Sequence, residues 1–173
     1  RCMHDDILTT DPRSLPQPAP GRRYFFCGIG GVGMSPLAHV LAARGCHVAG
    51  ADAAAQSTLE ALRRAGIACF VGHDVAQLGD GDVLVYSSAI PADNPERRAA
   101  HARGIPCLHR GQLLAQLVND ARSITVAGTH GKTTTAALAA LIMTAAGFDP
   151  TALIGGFVPA FGAYHRVGAS PWI

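Results

Sequence analysis

Tyr24-Phe25-Phe26-Cys27-Gly28-Ile29-Gly30-Gly31-Val32-Gly33 decides the architecture of the first part of the chain. A short apolar run ends in G-x-G-x-x-G, and Met34, Leu37, Ala38 and Leu41 then recur at helical spacing. Strand, glycine turn and helix in that order begin a βαβ unit. The glycines permit a tight turn, close approach of a diphosphate to the backbone, and close helix–sheet packing. Asp52 closes the next strand pattern, where a carboxylate can accept hydrogen bonds from a ribose hydroxyl. Gly28, Gly30, Gly31, Gly33 and Asp52 are therefore candidate ligand-binding residues. A dinucleotide such as NAD, or simply a well-packed turn, would use the same glycines.

Working outward, one punctuation recurs. A helical pattern ends, a glycine follows, and a strand pattern begins, at Gly45, Gly66, Gly104 and Gly147. A glycine just past a helix accepts the left-handed conformation that ends it. Repetition of this unit argues for βαβ connections and a parallel sheet. The patterns predict strands over 24–27, 47–51, 67–71, 83–87, 106–109 and 124–127. They predict helices over 32–44, 56–65, 94–103, 110–118 and 132–146. Leu138, Leu141, Ile142 and Ala145 fall on one face of the last helix, and such a stripe reads as core.

A second glycine turn stands between the last strand and helix: Gly128-Thr129-His130-Gly131-Lys132-Thr133-Thr134-Thr135. Of the 14 lysines and arginines in the chain, Lys132 is the sole lysine. Strand, glycines, lysine, hydroxyls and helix coincide as in a phosphate-binding loop. Backbone N–H groups at a helix N-terminus cradle the phosphates, the lysine reaches their outer oxygens, and the next hydroxyl ligates Mg2+. The loop departs from G-x-x-x-x-G-K-[ST], because Val126 stands where the first glycine belongs. Gly128, Thr129, His130, Gly131, Lys132, Thr133 and Thr134 are candidate ATP-binding residues, with Lys132 the catalytic candidate and Thr133 the metal ligand. His130 either touches a phosphate or faces solvent.

Composition narrows the classes. About half the residues are apolar (49%) and 15% are charged, which suits a buried α/β core. A net charge of +2 does not argue for nucleic acid or an anionic membrane as partner. No apolar run approaches the ~20 residues of a membrane span. Residues 1–20 lack the apolar region of a secretory signal, so a cytoplasmic location is expected. The five cysteines (Cys2, Cys27, Cys46, Cys69, Cys107) show no C-x-x-C and read as small apolar residues. The eight histidines show neither H-x-x-x-H nor H-E-x-x-H spacing, which argues against a metal site.

The polar break Asn119-Asp120-Ala121-Arg122 separates two α/β stretches. The expected organisation is a flexible lead-in over 1–21, a Rossmann-like parallel-sheet domain over 22–118, and over 119–173 the truncated start of a P-loop ATPase α/β domain. A dehydrogenase needs only the first loop and an ordinary ATPase only the second. Both together suggest a diphosphate-bearing substrate and ATP.

That combination resembles the Mur ligases, ATP-dependent amide-forming enzymes of peptidoglycan precursor synthesis. The resemblance covers about 22–173. It is carried by Gly28 to Ser35, Gly50-Ala51-Asp52 (the family usually has Ser in the middle), Ser87-Ser88-Ala89-Ile90 and Asp93-Asn94-Pro95-Glu96. Ile105-Pro106, Arg110 before a Leu-rich helix, Ala127 to Thr135, and Ile154-Gly155-Gly156 with Gly162 and Gly168 complete it. It implies the ligation of L-alanine to UDP-N-acetylmuramate through an acyl phosphate, with ATP and Mg2+ as cofactors. It also implies that His73, Ser87, Ser88 and Arg110 line the cleft of the first loop; turn, cap or surface roles would account for them otherwise. The sister ligase acting on the murein tripeptide, a stand-alone UDP-sugar-binding module, and an NAD-dependent oxidoreductase domain are the competing readings. The family's acidic metal-binding segment would follow Pro171-Trp172-Ile173, so these 173 residues are not expected to ligate alone.

Overall fold

The structure, a computed structural model, describes residues 11–173. Cys2 and the first half of the lead-in lie outside the described residues. The chain divides into two compact units, one ending at Gln116 and one spanning Leu117–Ile173.

In the first unit five strands form one parallel sheet: β1 (Arg23–Cys27), β2 (His47–Asp52), β3 (Ala68–Val71), β4 (Asp82–Tyr86) and β5 (Cys107–His109). Helices α1 (Ser35–Ala43), α2 (Ser57–Arg64), α3 (Pro95–Ala102) and α4 (Arg110–Asn119) alternate with them. The order β3-β2-β1-β4-β5 places β1 between β2 and β4, so the chain winds one way from β1 and then the other. In open parallel sheets the crevice outside such a switch point is where ligands bind. Cys27 pairs with Ala51 on one side and Tyr86 on the other.

The core follows from the strand sequences. Tyr24 through Cys27 and Asp82 through Tyr86 are buried throughout, as expected for central strands covered on both faces. Phe25, Cys27, Ala51, Leu84, Tyr86, Ala100 and Ile105 form one cluster. Met34, Leu37, Ala38 and Leu41 are all buried, as their spacing predicts. The glycines at 45, 66, 104 and 147 all have positive φ, at 81°, 80°, 66° and 84°. Asn94 caps α3, its Oδ1 accepting from the Glu96 and Arg97 amides at 3.0 and 3.2 Å. The described part of the lead-in is tethered: Gln116 Nε2 donates to the Pro12 and Pro16 carbonyls at 2.9 and 3.3 Å.

The second unit holds α5 (Lys132–Ala145) and an antiparallel hairpin of β6 (Ala152–Val158) and β7 (Ala163–Arg166). Two expectations fail here. Residues 124–127 are not a strand. The stretch makes a bridge at Arg122 to Trp172 and one further bond, Ile124 N–H to the Ile173 carbonyl at 2.9 Å. A strand exists only by virtue of its ladder, and no further ladder reaches these residues among those described. The stripe of α5 is not core either: Leu138 is 54% and Ile142 67% exposed. Burial goes instead to Ala140, with Ala137, against Ile154, Val158 and Phe161. The small residues let the helix lie close to β6, and the large ones face away. The hairpin itself was not anticipated.

Gly50 offers a direct test of the sheet. A Cβ there would press on the Phe26 carbonyl oxygen and come within 2.9 Å of Ile29. Gly50→Ala is expected to destabilise the chain by about 1–3 kcal/mol, the usual cost of overpacking a core. A urea midpoint unchanged from wild type would show that β1 and β2 are looser than described.

Candidate functional site

The first loop grows directly out of β1. Gly28 turns the chain at φ 80°, and its amide and that of Ile29 donate to the Ala51 carbonyl at 2.8 and 3.0 Å. A Cβ on Gly28 would come within 2.9 Å of Ile90 Cδ1, so the turn needs glycine for both conformation and space. The Met34 and Ser35 amides donate to the Gly31 carbonyl and lead into α1.

Asp52 braces this loop from below. It is 8% exposed, and its Oδ2 accepts from the Gly30 amide at 2.9 Å. Its Oδ1 accepts from Gln56 Nε2 at 3.3 Å. Thr58 Oγ1 donates to the Gly30 carbonyl at 3.1 Å, so Gly30 is held through both of its polar groups. The carboxylate is thus engaged with the protein, and the loop's shape depends on it.

Arg110, at the start of α4, reaches the same loop: a Cβ on Gly33 would lie 2.8 Å from its Nη1. An exposed guanidinium beside the glycine turn is a ready partner for a diphosphate. From β4 the chain passes through Ser87 to Ser88, whose Oγ lies 3.0 Å from His109 Nε2. His109 Nδ1 accepts from the Gly111 amide at 3.1 Å. Neutral His109 must therefore carry its proton on Nε2 and donate to Ser88, leaving the serine hydroxyl proton for another acceptor. His109 was not singled out from the sequence; only its place at the end of a strand beside Arg110 could have flagged it.

His73 behaves differently. Its Nδ1 lies 2.9 Å from Glu96 Oε2 and 3.9 Å from Cys27 Sγ. Cys27 Sγ in turn donates to Glu96 Oε2 at 2.9 Å. Burial, then the Glu96 hydrogen bond and charge, push the Cys27 thiol far up, so it stays protonated and donates at neutral pH. The fold thus brings Gly28, Gly30, Gly31, Gly33, Asp52 and Arg110 together, sets Ser88 with His109, and turns the Nδ1 edge of His73 to Glu96 and Cys27. For Ser87 the bond found among the described residues is a backbone one, its carbonyl accepting from the Ile90 amide at 3.0 Å.

The second loop lies in the second unit. Gly131 is the N-cap of α5 with φ 78°, in the left-handed region, and no side-chain cap hydrogen bond is made there among the described residues. Lys132 Nζ donates to the Gly128 and Thr129 carbonyls, the latter at 3.0 Å, which folds the ammonium over the loop. Residues 128–135 are all exposed. The Gly155-Gly156 stretch of β6 backs onto Thr133: a Cβ on Gly156 would lie 2.7 Å from Thr133 Cγ2. A left-handed glycine, an uncapped helix start, a lysine and a hydroxyl fit a nucleotide's outer phosphates and their Mg2+.

Comparisons with known proteins show what the chain is similar to. The family model described as Mur ligase family, catalytic domain matches residues 23–122. The chain is 48% identical over 153 residues to the UDP-N-acetylmuramate–L-alanine ligase of Symbiobacterium thermophilum, covering 88% of this chain and 32% of that protein. It thus spans about a third of the length of the curated relatives it matches. The solved UDP-N-acetylmuramate–alanine ligase of Thermotoga maritima superposes with a TM-score of 0.81 at 29% identity, over 87% of this chain and 36% of that one. A ligase from Neisseria meningitides, titled UDP-N-acetylmuramate:L-alanyl-gamma-D-glutamyl-meso-diaminopimelate ligase, gives 0.79 at 32% identity, over 88% and 51%.

Replacing Asp52 by Ala would leave the buried Gly30 amide without its acceptor. Asp52→Ala is expected to destabilise the chain by about 1–3 kcal/mol in urea unfolding, the cost of a buried group left unsatisfied. Wild-type stability would mean that the loop holds its shape without the carboxylate.

Proposed function

The chain belongs to the Mur ligase family, and from that premise we propose that it supplies two binding parts of an enzyme joining L-alanine to UDP-N-acetylmuramate. Residues 22–118 would form the nucleotide-sugar domain, and 119–173 would begin the ATP domain. The observation that carries this reading is the pair of phosphate-type loops on one chain, each with its own cation: Arg110 beside the first and Lys132 in the second. One diphosphate-bearing ligand explains the first loop, and ATP explains the second.

In this reading Gly28, Gly30, Gly31 and Gly33 receive the diphosphate of UDP-N-acetylmuramate, and Arg110 neutralises it. Asp52 holds the loop in its receiving shape. Ser88, already supplied with a donor by His109, offers its own proton to the ligand. In the second unit the N-terminal amides of α5 and Lys132 hold the β and γ phosphates of ATP, with Gly128, Thr129, His130, Gly131 and Thr134 shaping the loop. Thr133 would ligate Mg2+, which when bound neutralises charge on the phosphate oxygens.

The chemistry is phosphoryl transfer followed by acyl transfer. A muramoyl carboxylate oxygen bonds to the γ-phosphorus as the bond to ADP breaks. The alanine amine then bonds to the carbonyl carbon, loses a proton, and inorganic phosphate leaves with the former carboxylate oxygen. The protein's part is positioning and charge neutralisation. Such an enzyme would work in the cytoplasm, where ATP is available. Among the described residues no helix is long and apolar enough to cross a membrane. A second reading, the ligase acting on the murein tripeptide, draws on the Neisseria structure's similar likeness. The 48% identity to an alanine-adding ligase favours the first.

Calorimetric titration with UDP-N-acetylmuramate, and with NADH for comparison, tests the assignment. Saturable binding of the muramate alone is expected; binding of NADH alone would replace the ligase reading by an oxidoreductase one. Lys132→Ala is expected to weaken Mg·ATP binding at least about tenfold, roughly 1.4 kcal/mol, with muramate binding unchanged. Gly156→Ala, which displaces Thr133, should weaken Mg·ATP more than it weakens metal-free ATP. Equal losses with and without Mg2+ would remove Thr133 from the metal.

A further inference from the structure

Cys27, His73 and Glu96 come from three separate elements: the end of β1, the loop after β3, and the first turn of α3. Their sulfur, Nδ1 and carboxylate atoms all lie within 4.8 Å of one another. The separations are 2.9 Å from Cys27 Sγ to Glu96 Oε2, 2.9 Å from His73 Nδ1 to the same oxygen, and 3.9 Å from sulfur to nitrogen. Glu96 is 0% exposed, and its second oxygen, Oε1, adjoining the one in the triangle, is buried with no hydrogen-bond partner among the described residues. A fully buried carboxylate with one unsatisfied oxygen is a costly arrangement that calls for a ligand.

We propose that Cys27, His73 and Glu96 form a binding site for a divalent transition ion of the zinc class, separate from the magnesium site of the ATP loop. Thiolate, imidazole and carboxylate are the three ligand types that zinc combines, and hard ions such as Mg2+ and Ca2+ do not select sulfur or nitrogen. Ligand atoms around a tetrahedral zinc stand about 3.3–3.6 Å apart, from bond lengths of about 2.0–2.3 Å. Shifts of about half an ångström would therefore convert the hydrogen-bonded triangle into a coordination triangle. On binding, the Cys27 sulfur and His73 Nδ1 both give up the protons they donate to Glu96; the thiol proton goes to solvent, and the neutral imidazole carries its proton on Nε2 instead. The thiolate and the carboxylate then balance the 2+ charge. The His73 side chain is 18% exposed, which gives the ion an entry path from solvent. Asn94, whose Oδ1 lies 3.4 Å from Cys27 Sγ while capping α3, holds the first turn and so keeps Glu96 in place.

The site lies immediately before Gly28, so an ion there would fasten the root of the first loop to α3.

Cobalt(II) is the direct probe, because a thiolate ligand gives it a charge-transfer band in the near ultraviolet. The whole 173-residue chain, reduced and freed of metal, is titrated with Co2+ and then with Zn2+. One equivalent of Co2+ is expected to produce the band, one equivalent of Zn2+ to abolish it, and Zn2+ to raise Tm. Cys27→Val, which keeps the packing, should lose both the band and the Tm rise. Cys2→Ser, Cys46→Ser, Cys69→Ser and Cys107→Ser should each keep them. His73→Asn, at a half-buried position that tolerates change, should keep the fold and weaken Co2+ at least tenfold. No band in the wild type with Co2+ in excess, or a band that survives Cys27→Val, overturns the proposal.

Discussion

Strand β1 is hydrogen-bonded in parallel on both sides, to β2 and to β4, and the rest of the first unit is arranged around that constraint. Parallel neighbours must be joined by helical crossovers, which cover the faces of the sheet, so Tyr24 through Cys27 are buried on both faces. The chain must then leave β1 by a turn tight enough to clear its neighbours. Gly28 meets this with a positive φ and no side chain against Ile90. Because β2 and β4 carry their own crossovers in opposite directions along the sheet, the space outside the end of β1 stays open. Into it come the glycine loop, Ser88 after β4, and Arg110 after β5.

Charge around this opening is arranged by burial. Asp52 is nearly inaccessible and holds the Gly30 amide, while Arg110 is exposed beside Gly33. The negative group shapes the loop from within, and the positive group is left where an anionic ligand would approach. Lys132 serves the second loop in the same sense: its ammonium lies over the loop carbonyls next to an uncapped helix start. In both places a glycine turn at the start of a helix stands beside one exposed cation. Arginine suits a diphosphate it can grip with two donors, and lysine suits a compact point of charge near the outer phosphates.

The second unit shows how packing distance selects residues. Ala137 and Ala140 let α5 approach β6, and glycines at 155 and 156 leave room for Thr133 beside the hairpin. Leu138 and Ile142, which would hold the helix farther out, face away. An apolar stripe at helical spacing shows that a face is apolar; which neighbour it meets depends on the sheet beside it.

Local chemistry along the chain was enough to place both glycine loops, the alternation of strands and helices, the helix-ending glycines and the singular lysine. Each depends on residues within one or two turns of one another, where φ preference and hydrophobic period act directly. Tertiary structure decided the strand order, and with it the meeting of Gly33 with Arg110 and of Ser88 with His109. It also decided that Asp52 is taken up by the loop, that 124–127 has too few ladder partners to be a strand, and that the small face of α5 is the buried one. Cys27, His73 and Glu96 make the same point. Histidine spacing argued against a metal site, because spacing reports only ligands carried on one element. A parallel sheet instead gathers the ends of strands and the starts of helices that lie tens of residues apart, and only the folded chain shows which of them converge.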